Sequence, residues 1–297
     1  MVLGKVKEIW RYPVKSMGGE QVSSGMVNNS GLAGDRCWAI INSDNNEICH
    51  AKRWPELLNH RARLLALESL ESSGFDDEVP DVEVLFGDGS VVSGRASDCA
   101  DSLSEKLGRP VRLAPLAPPS NRDHYRLARK RTAESMAQEI NLLEGEAFPD
   151  VTNTPQELRK ALADCVTPPG TYVDAYPLHL LTTNSMQYLR EHGNVDAIKE
   201  RYRPNLLVEA SSQLAELTEN AWIDYRLQVG GAILRVHNRT VRCSMPAREQ
   251  QWCDVTADKK MMRAMVDNCD RHLGVYIMVE QSGLVSVDDE LIVLSSN

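Results

Sequence analysis

The sequence predicts a mixed α+β, β-dominated protein: a β-barrel domain with helical decoration, preceded by a second β-rich domain. Short runs rich in β-branched residues recur between Gly, Asn, Asp and Pro, the pattern of strands separated by turns. Helical stretches are few and short, and they do not alternate with strands as regular βαβ units. Many short strands with few helices argue a barrel rather than a doubly wound sheet.

In chain order, Val2–Trp10, Gln21–Val27, Cys37–Ile41 and Val82–Leu85 read as strands, with chain reversals at Gly18-Gly19 and Gly31-Leu32-Ala33-Gly34. Gly87-Asp88-Gly89 reads as a hairpin turn ahead of Val91-Val92. A helix follows from an N-cap at Ser97 to a C′ glycine at Gly108, with Ala100, Leu103 and Leu107 on one face. Pro110 to Pro119 holds four prolines and reads as a connection, dividing the chain into domains at 1–118 and 119–297. The dense basic cluster Arg122, Arg126, Arg129, Lys130 and Arg131 is a solvated helical face or an anion-guiding rim. Thr154-Pro155-Gln156-Glu157 predicts a capping box with Pro at N1. Further helices are expected over Asn184–Gly193 and Ala257–Asn268. Strands are expected at Pro177–Leu181, Asn205–Val208, Arg226–Val229, Ile233–His237, Val275–Glu280 and Leu291–Leu294.

Composition excludes several functions. The 297 residues can bury a core without disulfides or metals as staples. With 33 Lys and Arg against 42 Asp and Glu the formal charge is −9, and neither half is basic, which argues against nucleic acid as a partner. No apolar run approaches the roughly 18 residues of a membrane span, and the first residues carry a charge inside every apolar run, unlike a secretory signal. The seven cysteines are scattered without a C-x-x-C pair, which fits free thiols in a reducing cytoplasm. Nucleotide-binding glycine motifs, including the NAD fingerprint, are absent, as are iron–sulfur cysteine runs.

Four places carry chemistry. Tyr12-Pro13-Val14-Lys15-Ser16 ends the first strand beside Gly18-Gly19; an ammonium, a hydroxyl and backbone N–H groups there suit one anion, although a polar turn has the same look. Gly34-Asp35-Arg36 is a second strand entry with a cation, or a turn with its own ion pair. In Arg203-Pro204-Asn205 the proline fixes the backbone beside an amide able to read a heterocycle edge or to cap a turn. Thr240-Val241-Arg242-Cys243 closes a strand. A cation beside a thiol favours the thiolate, the form that acts as nucleophile or soft-metal ligand; a packed structural cysteine is the alternative.

These pieces, in this order, resemble the MOSC superfamily, specifically chains with a MOSC N-terminal β-barrel domain followed by a MOSC domain. The mitochondrial amidoxime-reducing component and the C-terminal part of molybdenum-cofactor sulfurases are of this kind. The resemblance runs through Tyr12–Ser16, Gly31-Leu32-x-Gly34-Asp35-Arg36-x-Trp38, Arg53-x-Pro55-x-Leu57, Arg203–Leu206, Thr240-x-Arg242-Cys243, Gly274-Val275-Tyr276 and Gly283-x-Val285-x-Val287-x-Asp289. It implies a molybdenum cofactor (molybdopterin) between the domains, without pyridoxal phosphate. Lys15, Ser16 and Arg36 would hold the cofactor phosphate, Arg203 and Asn205 the pterin, and Ser185 would add a hydroxyl. Thr240 and Arg242 would flank the metal, and Cys243 would ligate it. The implied activity is reduction of small N-hydroxylated or N-oxide substrates, with Cys243 and Arg242 at the catalytic centre and a separate ferredoxin or flavoprotein as electron donor. Ser244–Gln250 departs from the reductase pattern. Two other readings therefore stand beside the first: a carrier of the cofactor or of a persulfide on Cys243, and a MOSC fold reused for non-molybdenum biosynthetic chemistry.

Overall fold

The computed structural model describes residues 1–65, 79–211, 214 and 216–294. The first part of the chain forms β1 (Val2–Arg11), β2 (Glu20–Val22), β3 (Ser24–Asn28), β4 (Gly31–Leu32), β5 (Trp38–Asn42), β6 (Arg61–Leu64), β7 (Val82–Leu85), β8 (Val91–Ser93), α1 (Cys99–Leu107) and β9 (Val111–Pro115). Next come α2 (Arg122–Tyr125), α3 (Ala133–Ile140), α4 (Gln156–Asp164), β10 (Leu178–Thr182), α5 (Thr183–Gly193), α6 (Lys199–Tyr202) and β11 (Leu206–Ala210). The chain finishes with β12 (Arg226–Val229), β13 (Ala232–Val241), α7 (Met261–Cys269), β14 (His272–Gln281), β15 (Gly283–Ser286) and β16 (Glu290–Val293).

The principal sheet runs β11-β10-β14-β13-β12-β16-β1-β2, and β1 also pairs with β11, so the strands from β11 to β1 close into a barrel and β2 hangs from its edge. Closure removes the open edges that a sheet of this size would otherwise expose. The barrel is filled by Leu3, Val6 and Ile9 of β1 with Leu178, Leu180, Val208, Leu227, Val236, Val275 and Ile277. The three β1 residues are spaced by three rather than two. Register shifts between Val2 and Gly4 and between Val6 and Glu8 return each to the interior, as a bulge does by adding a residue to one strand.

A second apolar cluster joins Val14, Met17, Trp38 and Ile40 to Leu57, Val82, Val84, Leu103 and Leu107. It is built by the β5–β9 pair, the β6-β7-β8 sheet and α1. A third packs α5 and α7 outside the barrel, through Met186, Leu189, Met261 and Met265 against Leu181 and Leu207.

Several local expectations need correction. Pro110–Pro119 is not simply a connection: Val111–Pro115 is strand β9, paired with β5 from Trp38↔Pro115 to Asn42↔Val111. Proline is tolerated at the end of an edge strand, where no ladder donor is needed. Gln21–Val27 breaks into β2 and β3. From the N-terminal stretch, β1 serves as a barrel stave and β3 pairs with β15. Pro155, not Thr154, occupies the N-cap of α4, and no side chain caps it. Helix α1 is capped at Asp98 rather than Ser97 and ends at Gly108 in the left-handed region, φ 66°. Among the described residues no helix is long and apolar enough to cross a membrane.

Candidate functional site

Where β1 leaves the barrel for the N-terminal part, a cleft opens. Lys15, Ser16, Arg36, Arg203, Asn205, Thr240, Arg242 and Cys243 line it, together with Asp174, His179 and Tyr276. Eight residues singled out from four sequence segments thus share one cavity. Three of them, Ser16 (φ 69°), Arg36 (φ 45°) and Arg203 (φ 54°), hold positive φ without being glycine. Such conformations are uncommon for side-chain-bearing residues and persist where surrounding structure imposes them.

The surrounding contacts explain the imposition. Two guanidinium groups lie over the Tyr12 ring, Arg203 4.2 Å and Arg36 4.7 Å from its centroid. Arg203 also donates to the Met17 carbonyl, and Arg36 is paired with Asp35 and donates to Asn205 Oδ1 at 3.2 Å. Burial and the neighbouring Arg36 charge lower the Arg203 pKa to about 10. The Asn205 amide is committed to the scaffold: Oδ1 accepts from the His179 N–H at 3.2 Å and Nδ2 donates to the Trp10 carbonyl at 3.2 Å. It locks the β11 entry to β10 and β1.

Lys15 is almost fully buried, and its ammonium donates to the Tyr172 carbonyl at 2.9 Å and to Asp174 Oδ1 at 2.5 Å. Burial lowers its pKa, opposed by Asp174. The Ser16 hydroxyl accepts from the Ala51 N–H at 2.9 Å. On the opposite wall Arg242 donates from Nη2 to the Tyr202 carbonyl at 2.9 Å. Arg242 Nε and Thr240 Oγ1 are buried with no hydrogen-bond partner. Leaving such a group unsatisfied costs about 1–3 kcal/mol, so both point to something the cleft takes up. Cys243 is the one cysteine in the cleft among the described residues, and it is partly exposed.

The other sequence candidates lie elsewhere. Ser185 is fully buried in the first turn of α5, and its hydroxyl donates to Glu219 at 2.6 Å, so it is not among the cleft residues. The expected cofactor-contacting hydroxyl is consumed by this internal contact. In the basic cluster, Arg126, Arg129 and Lys130 are exposed, whereas Arg131 donates to the Leu162 carbonyl at 2.6 Å. Glu191, His192 and Glu216 come together on the surface, exposed and apart from the cleft.

Asp174, Lys52 and His179 were not singled out from sequence. Asp174 offered a signal, since it precedes strand β10 much as Asp35 precedes β5. His179 offered none, because a histidine inside an apolar strand run looks like any packed residue. Gly274, at φ 79°, makes room for it: a Cβ there would lie 2.3 Å from His179 Nε2.

Architecture and site together define a β-barrel protein with a cationic, cysteine-bearing cleft at the junction with a second β-rich unit. The sequence profile of the MOSC domain matches residues 168–292, and that of the MOSC N-terminal beta barrel domain matches residues 3–86. The chain belongs to the MOSC superfamily. Among solved structures it is similar to the YUAD protein from Bacillus subtilis at 12% identity, covering 99% of this chain and 97% of that one, with a TM-score of 0.44. It is also similar to YiiM from Geobacillus stearothermophilus at 17% identity, covering 40% and 55%, TM-score 0.30. YiiM from Escherichia coli follows at 16% identity, covering 41% and 56%, TM-score 0.29. No curated protein matches the chain.

Proposed function

We propose that the cleft binds a molybdenum cofactor of the molybdopterin type, and that the protein is an oxidoreductase reducing small N-hydroxylated or N-oxide substrates. The observation that carries this reading is the convergence of Lys15, Arg36, Arg203 and Arg242 on one cavity that also holds the Cys243 thiol, in a chain of net charge −9. A phosphorylated ligand needs such cations, and molybdenum accepts a soft thiolate. The unpartnered Arg242 Nε and Thr240 Oγ1 fit a polar occupant.

In this reading Lys15, Ser16 and Arg36 hold the phosphate, Arg203 faces the pterin, and Asn205 shapes the loop that presents Arg203. Thr240 and Arg242 flank the metal, and Cys243 ligates it. Bound there, the cofactor supplies two-electron oxygen-atom transfer chemistry. The chain's own contribution is to bind and orient: the strained backbones at Ser16, Arg36 and Arg203 fix three cofactor-facing groups before any ligand arrives. Burial and the charges of Arg242 and Arg36 hold His179 well below the ordinary histidine pKa, so it stays neutral in the wall and adds no charge to the cleft. Electrons come from a separate ferredoxin or flavoprotein, and a reducing cytoplasm keeps the thiols free.

The test is molybdenum and pterin content of the protein purified from a host that makes the cofactor, beside Cys243→Ser. Near-stoichiometric metal, its loss in the variant, and viologen-driven turnover of N-oxides or hydroxylamines are expected. Absence of both metal and pterin overturns the reading, and a persulfide on Cys243 without turnover replaces it with a sulfur carrier.

A further inference from the structure

Resting on that reading of the cleft, the geometry points to Asp174 as a resident anion: its carboxylate holds the place of a ligand phosphate between Lys15 and Lys52, and an incoming phosphate group displaces it. Lys52 thereby joins the phosphate-binding set.

The observations are these. Asp174 lines the cleft with Lys15, Ser16 and Arg36. Its two oxygens divide between two ammonium groups, Oδ1 at 2.5 Å from Lys15 and Oδ2 at 3.3 Å from Lys52. Lys15 has 5% of its side chain exposed and Lys52 has 20%, whereas Asp174 has 45%. The cations are therefore sunk in the wall, while the anion enters from the open side. Lys15 is independently anchored by the Tyr172 carbonyl at 2.9 Å. Lys52 is followed by Arg53, which is tied to Glu139 at 2.8 Å; the Glu139 carbonyl in turn accepts from the Ser244 hydroxyl at 2.9 Å, next to Cys243. Lys15 thus keeps its place without Asp174, while the backbone beside Lys52 is held by the Arg53–Glu139 pair. Asp174 itself sits in irregular chain between Tyr172 and β10, outside the regular strands and helices.

Charge explains why a placeholder is needed. Two ammonium groups, Lys15 buried and Lys52 partly exposed, repel each other when no anion lies between them, and the nearby His50, buried with neither ring nitrogen hydrogen-bonded, offers none. One carboxylate offsets one of the two charges. A phosphate monoester or pyrophosphate brings about two negative charges and three acceptor oxygens per terminal group, enough to satisfy both lysines and the Ser16 hydroxyl together. A ligand with a single carboxylate offers no more than Asp174 already does, so the device favours phosphorylated ligands over carboxylates.

The experiment is calorimetric titration of the purified cofactor-free protein with pyrophosphate, and separately with acetate, at fixed ionic strength. Asp174→Asn removes the competing charge while keeping shape, and we expect it to bind pyrophosphate about tenfold more tightly than the wild type, with acetate now detectable. Lys52→Gln is expected to weaken pyrophosphate binding about tenfold. Unchanged or weaker pyrophosphate binding by Asp174→Asn overturns the inference, since the carboxylate would then be positioning the lysines rather than occupying their site. Unchanged affinity in Lys52→Gln removes that residue from the set. Tighter pyrophosphate binding in Asp174→Asn, in a protein that never carries pterin, would keep the resident anion and reject the molybdenum reading; pterin in the wild type with no gain in the variant would do the reverse.

Discussion

His179 Nε2 lies 3.5 Å from Arg242 Nη1 in the wall of the cleft, a buried imidazole directly against a buried guanidinium. Such a pair is stable only with the imidazole uncharged, because two adjacent buried cations would repel in a poorly screened interior.

The pH dependence of stability follows. Burial, then the Arg242 and Arg36 charges, hold the His179 pKa well below its ordinary value, and burial with Lys52 and Lys15 lowers that of His50 to about 2. Both are neutral when folded, whereas the unfolded chain takes up a proton on each below about pH 6.5. The unfolded state then binds more protons, so this stability is fully present above about pH 6.5 and is lost as pH falls below it. At pH 5 each fully shifted imidazole removes about 2 kcal/mol. Denaturant midpoints at pH 7.5 and 5.0 should show a clear fall, reduced in His50→Gln; equal midpoints would contradict the argument.

Gly274→Ala should be severely destabilising. The new Cβ would lie 2.3 Å from His179 Nε2 and 2.7 Å from the Leu180 carbonyl, at a φ of 79°. Overpacking together with left-handed strain predicts a loss of about 3 kcal/mol or more. Urea unfolding measures it, and a change under 1 kcal/mol would mean that His179 moves freely.

Thiol chemistry should single out Cys243. Five of the seven cysteines are buried; Cys243 and Cys253 are partly exposed, and burial pushes the Cys253 thiol up to about 12. Thiolate fraction and access govern reaction rate, so Ellman's reagent at pH 8 should meet one fast thiol in the native protein. Its persistence in Cys243→Ser would assign the fast phase elsewhere.

Arg271 should hold the wall beside Cys243 in place. Fully buried, it pairs with Glu146 and donates to the carbonyls of Ile140 at 2.7 Å, Asn141 at 3.2 Å and Arg242 at 3.2 Å. Removing one partner of a buried pair typically costs about 3–5 kcal/mol. Arg271→Met should lose stability in that range and become sensitive to limited proteolysis between α3 and α4. A protease-resistant variant would show that other contacts hold this segment.

Much of the fold could be read locally. Alternation and flanking turns within a few residues set the limits of Val82–Leu85 and Arg226–Val229, and the strands have those limits. Strand β9 is not legible locally, because its prolines look like a linker until β5 is available to pair with it. The segments that carry Lys15, Ser16, Arg36, Arg203, Asn205, Thr240, Arg242 and Cys243 stand out as short motifs beside strands, and the fold brings them to one cleft. Ser185 is implied by the family resemblance alone, and a carboxylate 34 residues away claims its hydroxyl.

What the sequence by itself determined is which residues could do chemistry and that strands would dominate, since both depend on neighbours along the chain. The tertiary structure alone decided that β1 closes the barrel against β11, that Gly274 yields its space to His179, and that Asp174 reaches Lys15 across 159 residues. Contacts at such separations are set by register and packing throughout the barrel, and no local pattern carries that information.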